Sequence, residues 1–281
     1  MTTTADVGTE APAVAPGSTT TGALPGRVSP LAAARHTMTI AWRNLVQIRH
    51  NPMELGDLSL QPLMFVVLFA FVLGGAIAGS PKAYLQFGLA GIITQNALFL
   101  TLNTAVAINT DLTKGIFDRF RSLPIARSAP LAGRIVADLV RQAWSMAILL
   151  VVGIAIGFRV GTSPLAVLAA FGLLVTFALC FSWSALLVGV LVDAPEKVML
   201  FGFVVLFPLT FASSAFVPAS TMPDWLQVWV NISPATQLTD AMRGLLAGGP
   251  VAGPAAAALL WAVAIAAVFA PLCLIAFRRR A

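Results

Sequence analysis

Charge is what this chain of 281 residues has least of. Only 10% of its residues are Asp, Glu, Lys or Arg, where a soluble domain carries roughly 25%. With 58% hydrophobic residues and a mean hydropathy of +0.90, the apolar surface exceeds what one water-soluble core can bury, so lipid must be the solvent for much of it. Histidine is nearly absent: His36 and His50 stand alone in the N-terminal region, which excludes His-dependent hydrolysis and leaves no third ligand for a metal. The two cysteines, Cys180 and Cys273, lie far apart inside apolar runs. They have neither metal spacing nor a disulfide framework, and read as small buried apolar residues. No G-x-S-x-G, H-E-x-x-H or G-x-x-x-x-G-K-[ST] motif occurs, so the chain has no P-loop of its own with which to hydrolyse ATP. The net charge of +6 does not signal nucleic acid, because the bases do not cluster with aromatics. They are topology signals instead.

What is present is a series of apolar runs near 59–78, 84–108, 134–158, 165–192, 198–217 and 255–277. Each approaches or exceeds the roughly 20 residues that cross a bilayer as helix. The expected fold is therefore all-α: a polytopic membrane protein with six transmembrane helices, an N-terminal amphipathic interfacial helix and short external helices before the last span. Residues 1–30, rich in Thr, Ala, Gly and Pro, read as a disordered cytosolic tail without signal-peptide features. Residues 31–52 carry Ala34, Met38, Trp42, Leu45 and Ile48 on one helical face and bases on others, as suits a helix in the headgroup region. Residues 53–281 form the six-span domain. With the N-terminus inside, six spans return the C-terminus inside. That arrangement puts all but a few bases (Lys82, Arg159 and Arg243) at the cytosolic side, with Arg141 just inside the third span.

The densest charged patch is 111–134, with two acids and five bases between two apolar runs. Leu112, Ile116, Phe120 and Leu123 recur at helical spacing. Asn109, Thr110 or Asp111 can cap the start, and Pro124 stops it. This predicts a short amphipathic helix along a membrane face, over 111–123. The longest external connection, 218–253, is broken by Pro218, Pro223 and Pro234. Trp225 and Trp229 lie one turn apart, and Leu238, Ala241, Met242 and Leu245 form a second apolar stripe. The reading is two short helices lying in or dipping into the outer leaflet, against a plain aromatic belt at a span end. Within the spans, Asp138 and Arg141 can pair three residues apart, as a structural pair or as functional intramembrane charges. Span two carries Thr94, Gln95, Asn96, Thr101, Asn103 and Thr104, which line a pathway or bond neighbouring helices. No acid sits at mid-membrane, which argues against a proton-coupled carrier.

The stretch Gly115-Ile116-Phe117-Asp118-Arg119-Phe120-Arg121-Ser122-Leu123-Pro124, with Leu131-Ala132-Gly133-Arg134 after it, resembles the membrane subunits of type-2 ABC exporters. Within these it is similar to the daunorubicin/doxorubicin-resistance permeases of actinobacteria. Phe216-Val217-Pro218, Met222-Pro223-Asp224-Trp225-Leu226 and the stretch from Asn231 to Gly244 support the resemblance, which covers the chain from about residue 35 onward. It implies a permease paired with a separate cytosolic ABC ATPase, as two copies of each. ATP and Mg are then expected in the ATPase, with no cofactor in this chain. It also implies that the 111–123 segment is the coupling helix, with Asp111, Lys114, Phe117, Asp118, Arg119, Phe120, Arg121, Leu123 and Pro124 facing the ATPase. Phe216, Pro218, Pro223, Trp225, Trp229 and Arg243 would belong to an external gate. Gln95, Asn96, Asn103, Asp138 and Arg141 remain candidate pathway or packing residues.

The expected function is thus the permease subunit of an ATP-driven exporter for a hydrophobic compound, a drug, antibiotic or lipid-like molecule, in contact with membrane lipids. The alternatives are an exporter of a lipid-linked glycan, an ATP-independent secondary carrier, and a membrane-anchored enzyme or scaffold. The expected location is the plasma membrane of a bacterium with both termini cytoplasmic. Arg far outnumbering Lys, with abundant Ala, fits an actinobacterial origin.

Overall fold

The computed structural model describes residues 52–115 and 129–280. The expected tail at 1–30, nearly all of the interfacial helix at 31–52, and residues 116–128 of the loop lie outside the described residues. All described regular structure is helical. Helix α1 is Pro52–Leu68 and runs on through a π-helical turn, Phe69–Leu73, and a last turn, Gly74–Ala78. The others are α2, Pro81–Thr113; α3, Ala129–Ile156; α4, Pro164–Leu191; α5, Pro195–Phe211; α6, Asp224–Ile232; α7, Pro234–Ala247; and α8, Ala252–Arg280.

Proline sets the starts. Pro81, Pro164, Pro195 and Pro234 open α2, α4, α5 and α7, where the missing N–H costs nothing and the fixed φ suits a helix. Serine caps two of these ends. Ser80 Oγ accepts from the Ala83 N–H at 3.2 Å, and Ser163 Oγ from the Ala166 N–H at 3.3 Å.

Among the described residues four helices are long and apolar enough to cross a membrane: Pro81–Thr113, Ala137–Ile156, Pro164–Leu191 and Ala252–Phe277. Two further apolar helices are shorter. The apolar part of α1 is Leu60–Val72, and α5 has 17 residues, which at 1.5 Å each span about 25 Å against a hydrocarbon core of about 30 Å.

Helix α2 is the axis of the molecule. It packs against α1, α3, α4, α5 and α7, while α8 closes against α4 and α7. Bare glycine backbone permits the closest crossings. A Cβ on Gly91 of α2 would land on the Ala215 carbonyl, and one on Gly189 of α4 would lie 2.6 Å from the Ala105 oxygen.

Two expected boundaries shift. The fifth apolar run extends to 217, but α5 stops at Phe211. The helix runs through Pro208 and ends where Ala212 leaves helical geometry, with ψ at 53°, its N–H still donating to the Pro208 carbonyl at 2.8 Å. Helix α2 runs through Thr113, so Asn109, Thr110 and Asp111 lie inside it and start no separate helix. Asn109 is fully buried. Its Nδ2 donates to the Gly189 carbonyl at 2.8 Å and the Val192 carbonyl at 2.6 Å, tying the ends of α2 and α4 together.

Candidate functional site

Between α1, α2 and α5 lies a cavity of about 260 Å³. Its wall is aromatic. Phe203, Phe207 and Phe211 recur every four residues on α5, and their rings stack in sequence with centroids 5.4 and 4.3 Å apart. Phe211 continues to Phe216 at 4.9 Å, Phe216 to Phe69 at 4.7 Å and Phe69 to Phe65 at 5.9 Å. At the other end Phe99 of α2 meets Phe203 edge-on at 5.8 Å. The result is an arc of seven phenylalanines, of which Phe65, Phe99, Phe203, Phe207 and Phe211 line the cavity while Phe69 and Phe216 are buried behind it, a surface suited to flat apolar molecules.

A second cavity of about 260 Å³ lies on the far side of Gln61 and Pro62, among α1, α2, α3 and α4. The two share Gln61, Pro62, Asn96, Leu100 and Asn103 as walls. The second lobe carries more polar groups than the first. Asp138 Oδ1 accepts from Arg141 Nη1 at 3.0 Å, and its Oδ2 accepts from Thr104 Oγ1 at 2.8 Å. Asn96 Nδ2 donates to Ser145 Oγ at 2.6 Å. The expected pair of Asp138 and Arg141 therefore forms, and it lines a cavity. Of the other sequence candidates, Asn96 and Asn103 border both lobes, whereas Gln95 faces only the aromatic one.

The segment after α5 is irregular backbone held deep in the protein, with Ser213, Ser214, Ala215 and Phe216 all buried. Such backbone survives away from water only when protein groups satisfy it. Helix α7 supplies them. Thr236 Oγ1 accepts from the Ser214 N–H at 3.1 Å, and Asp240 accepts from Ser214 Oγ at 2.9 Å. Arg243 Nη2 donates to the Ser214 carbonyl at 3.0 Å and Nε to the Phe87 carbonyl at 3.1 Å, with Nη1 paired to Asp240. The guanidinium lies 4.0 Å from the centroid of the Phe87 ring, a cation–π contact. Tyr84 Oη donates to the Phe216 carbonyl at 3.4 Å. Arg243 is thus a bracket between α7, α2 and the broken segment, and it is no loop base. The remaining gate candidates lie apart from it: Pro218 and Pro223 flank a 3₁₀ turn, Ala219–Thr221, and Trp225 and Trp229 project from α6 at 75% and 52% exposure.

Of the coupling candidates, Asp111 sits in the last turn of α2, and Lys114 caps it by donating its N–H to the Thr110 carbonyl at 3.0 Å. Phe117, Asp118, Arg119, Phe120, Arg121, Leu123 and Pro124 lie outside the described residues. Sequence reasoning missed the phenylalanine arc, Gln142 and Asp240. The i, i+4, i+8 spacing of Phe203, Phe207 and Phe211 was the available signal. Among the described residues no group of three or more His, Cys, Asp or Glu could hold a metal ion.

The profile of the ABC-2 type transporter membrane family matches residues 35–247. The chain belongs to the ABC-2 type transporter family. It is 36% identical over 259 residues, 92% of this chain and 90% of the relative, to the daunorubicin resistance ABC transporter permease protein DrrB1 of Streptomyces coeruleorubidus. It is 28% identical over 228 residues to a DrrC permease of Mycobacterium tuberculosis whose name associates it with doxorubicin resistance, covering 78% of this chain and 79% of that one. A DrrB permease of the same organism is 25% identical over 192 residues, 66% of each chain. The chain is accordingly a non-catalytic membrane permease subunit of an ABC-type transporter. Membership in this family implies pairing with an ABC ATPase and a second permease.

Proposed function

We propose that this permease exports a hydrophobic or amphipathic compound from a bacterial cell, with a drug of the anthracycline type as the leading cargo class. The observation that carries this reading is the phenylalanine arc around the cavity between α1, α2 and α5. The names of the drug-resistance relatives support it. In this account α1 and α5 complete six spans with the four long helices. Both termini face the cytosol of an actinobacterial cell, and two permease copies with two ATPases enclose one path. ATP binding and hydrolysis belong to the ATPase. Its movements enter through residues 111–123 and reach the cavity along α2, whose inner end Asn109 fastens to α4. The α6–α7 segment acts as the external gate.

Cells expressing the permease with its ATPase should retain less daunorubicin than cells lacking either subunit, and Phe207→Ala should raise retention about threefold to tenfold by removing the middle of the arc. Equal retention with and without the permease would remove the drug reading. Docking has its own test. Buried interface anchors are often aromatic or Arg, so Phe120→Ala or Arg121→Glu should uncouple export while the permease stays folded. Normal co-purification of the ATPase and unchanged export in both variants would refute that assignment. Cysteines placed at Ser128 and Asp224 should label from opposite sides of the membrane, and same-side labelling would overturn the six-span count.

A further inference from the structure

The loop between α3 and α4, residues 157–163, is fastened on two sides. On one side the Gln86 side chain of α2 grips the backbone of Arg159. Its Nε2 donates to the Arg159 carbonyl at 2.8 Å, and its Oε1 accepts from the Arg159 N–H at 3.1 Å. On the other side the end of α7 accepts two bonds, from the Gly161 N–H to the Leu246 carbonyl at 3.0 Å and from Thr162 Oγ1 to the Leu245 carbonyl at 2.6 Å. Gly157 has φ of +137°, a conformation that suits glycine. A Cβ there would lie 2.8, 3.1 and 3.2 Å from Cγ, Cδ and Cε of Lys82. Lys82 is thus laid along the loop, two residues from Arg159, a backbone reach of at most about 7 Å. Both bases are exposed, and among the described residues neither side chain has an ion-pair or hydrogen-bond partner. Beside them in the chain stand exposed apolar residues: Val151 and Ile154 in the last turns of α3, Val160 in the loop, and Leu165 and Leu168 in the first turns of α4. Both helices are long and apolar enough to cross a membrane.

We infer that Lys82 and Arg159 form a binding site for the head group of an anionic phospholipid, whose chains lie on the apolar faces of α3 and α4. Two cations held this close repel each other, and the loop is fastened so that they stay close. An anion relieves that repulsion. A guanidinium can fork to two phosphate oxygens, and an ammonium adds a point charge. A soluble phosphate would supply the charge but would leave the neighbouring apolar surface to other molecules. A lipid of the leaflet at this end of the bundle meets both needs at once. The inference goes beyond the export reading and is independent of the cargo.

A cysteine beside Arg159 reports occupancy. Val160→Cys is made in a Cys180→Ser, Cys273→Ser permease, and the complex with its ATPase is placed in phosphatidylcholine nanodiscs with rising fractions of phosphatidylglycerol. Reaction with an uncharged maleimide is followed in each. Phosphatidylglycerol should slow it at the Val160 cysteine. It should not slow it at a cysteine placed instead at Ser220, an exposed residue of the 3₁₀ turn. A base near a membrane surface contributes about fivefold to anionic-lipid binding, so Lys82→Gln or Arg159→Gln should raise the half-protecting fraction about fivefold and the two together about thirtyfold. Gln86→Leu keeps both charges and releases the Arg159 backbone, so it should also weaken protection. Equal reactivity in discs with and without phosphatidylglycerol, or protection that survives the loss of both bases, would overturn the site. Full protection in Gln86→Leu would overturn the role of the fastened loop and reduce the effect to surface charge. Protection in pure phosphatidylcholine discs by millimolar glycerol phosphate would overturn the lipid as occupant in favour of a soluble phosphate.

Discussion

Helices α6 and α7 are neighbours joined at Ser233, and in sequence they look alike. Each has an apolar stripe, and each has a polar stripe at helical spacing: Asp224, Gln227 and Asn231 on α6, Thr236, Asp240 and Arg243 on α7. The structure treats them in opposite ways. On α6 Val230 alone is buried, while Trp225, Val228, Trp229 and Ile232 are exposed. On α7 ten residues are buried, including Leu238, Ala241 and Met242, and the polar stripe turns inward to hold Ser214 and Phe87. The difference lies in what needs satisfying. Backbone broken after Phe211 demands donors and acceptors inside the protein, and of these two helices α7 is the one that supplies them. An amphipathic pattern in a membrane protein shows that a helix has two faces. It does not say which of them meets protein.

Removing the bracket should break the contrast most. Arg243→Met leaves Asp240 and the Ser214 and Phe87 carbonyls without their common donor, a loss on the order of 3 kcal/mol for a mostly buried paired charge. The midpoint of thermal unfolding of the purified protein should fall by several degrees, and single cysteines introduced on the buried face of α7 should become about as reactive as ones introduced on the exposed face of α6. Arg243→Lys should recover only part of the loss, since an ammonium cannot fork to three acceptors. A midpoint within about 1 °C of the parent would mean that the broken segment is held by something else.

A smaller effect is expected where α2 meets the same segment. Gly91→Ala drives a methyl group into the Ala215 carbonyl. Because the obstacle is backbone, the overpacking should cost about 1–3 kcal/mol. Gly172→Ala on α4 is the matched control, since nothing lies within 4 Å of the added Cβ. It should leave the midpoint unchanged or raise it slightly. Equal behaviour of the two variants would show that the close approach of α2 to the broken segment is not under constraint.

The parts of this fold that were legible in sequence are those set by composition and local chemistry. Low charge and long apolar runs indicated membrane helices. Pro218, Pro223 and Pro234 marked the breaks around two short helices before the last span. Spacing alone paired Asp138 with Arg141. What was not legible depends on long-range partners. Arg243 resembled an external loop base until Ser214, 29 residues away, and Phe87, 156 residues away, were placed beside it. Asn109 resembled a helix cap, yet its partners are carbonyls of α4. Gln142 gave no signal, because a glutamine in an apolar run looks the same whether or not it bonds a neighbouring helix, as its Nε2 does to the Ala97 carbonyl.

The smallest effect on stability should come from the exposed face of α6. Trp225 and Trp229 contribute little to the fold at their exposure, so replacing both with Ala should change the unfolding midpoint by no more than surface substitutions usually do, within about 0.5 kcal/mol each. Their rings are suited to the boundary between leaflet and water, and α6 is fastened to the last span, where Trp261 Nε1 donates to the Ile232 carbonyl at 2.9 Å. A gate anchored this way at one end and held by aromatic rings at the other should lose its resting position when the rings go. The double variant should therefore co-purify with its ATPase at the parental ratio while drug retention in cells rises. If retention stays at the parental level, α6 is only a lipid-facing cover, and the gating role passes to α7 and its bracket at Arg243. If instead ATPase co-purification falls, the two tryptophans support the fold as a whole, and the contrast between an exposed α6 and a built-in α7 is weaker than the burial of their side chains implies.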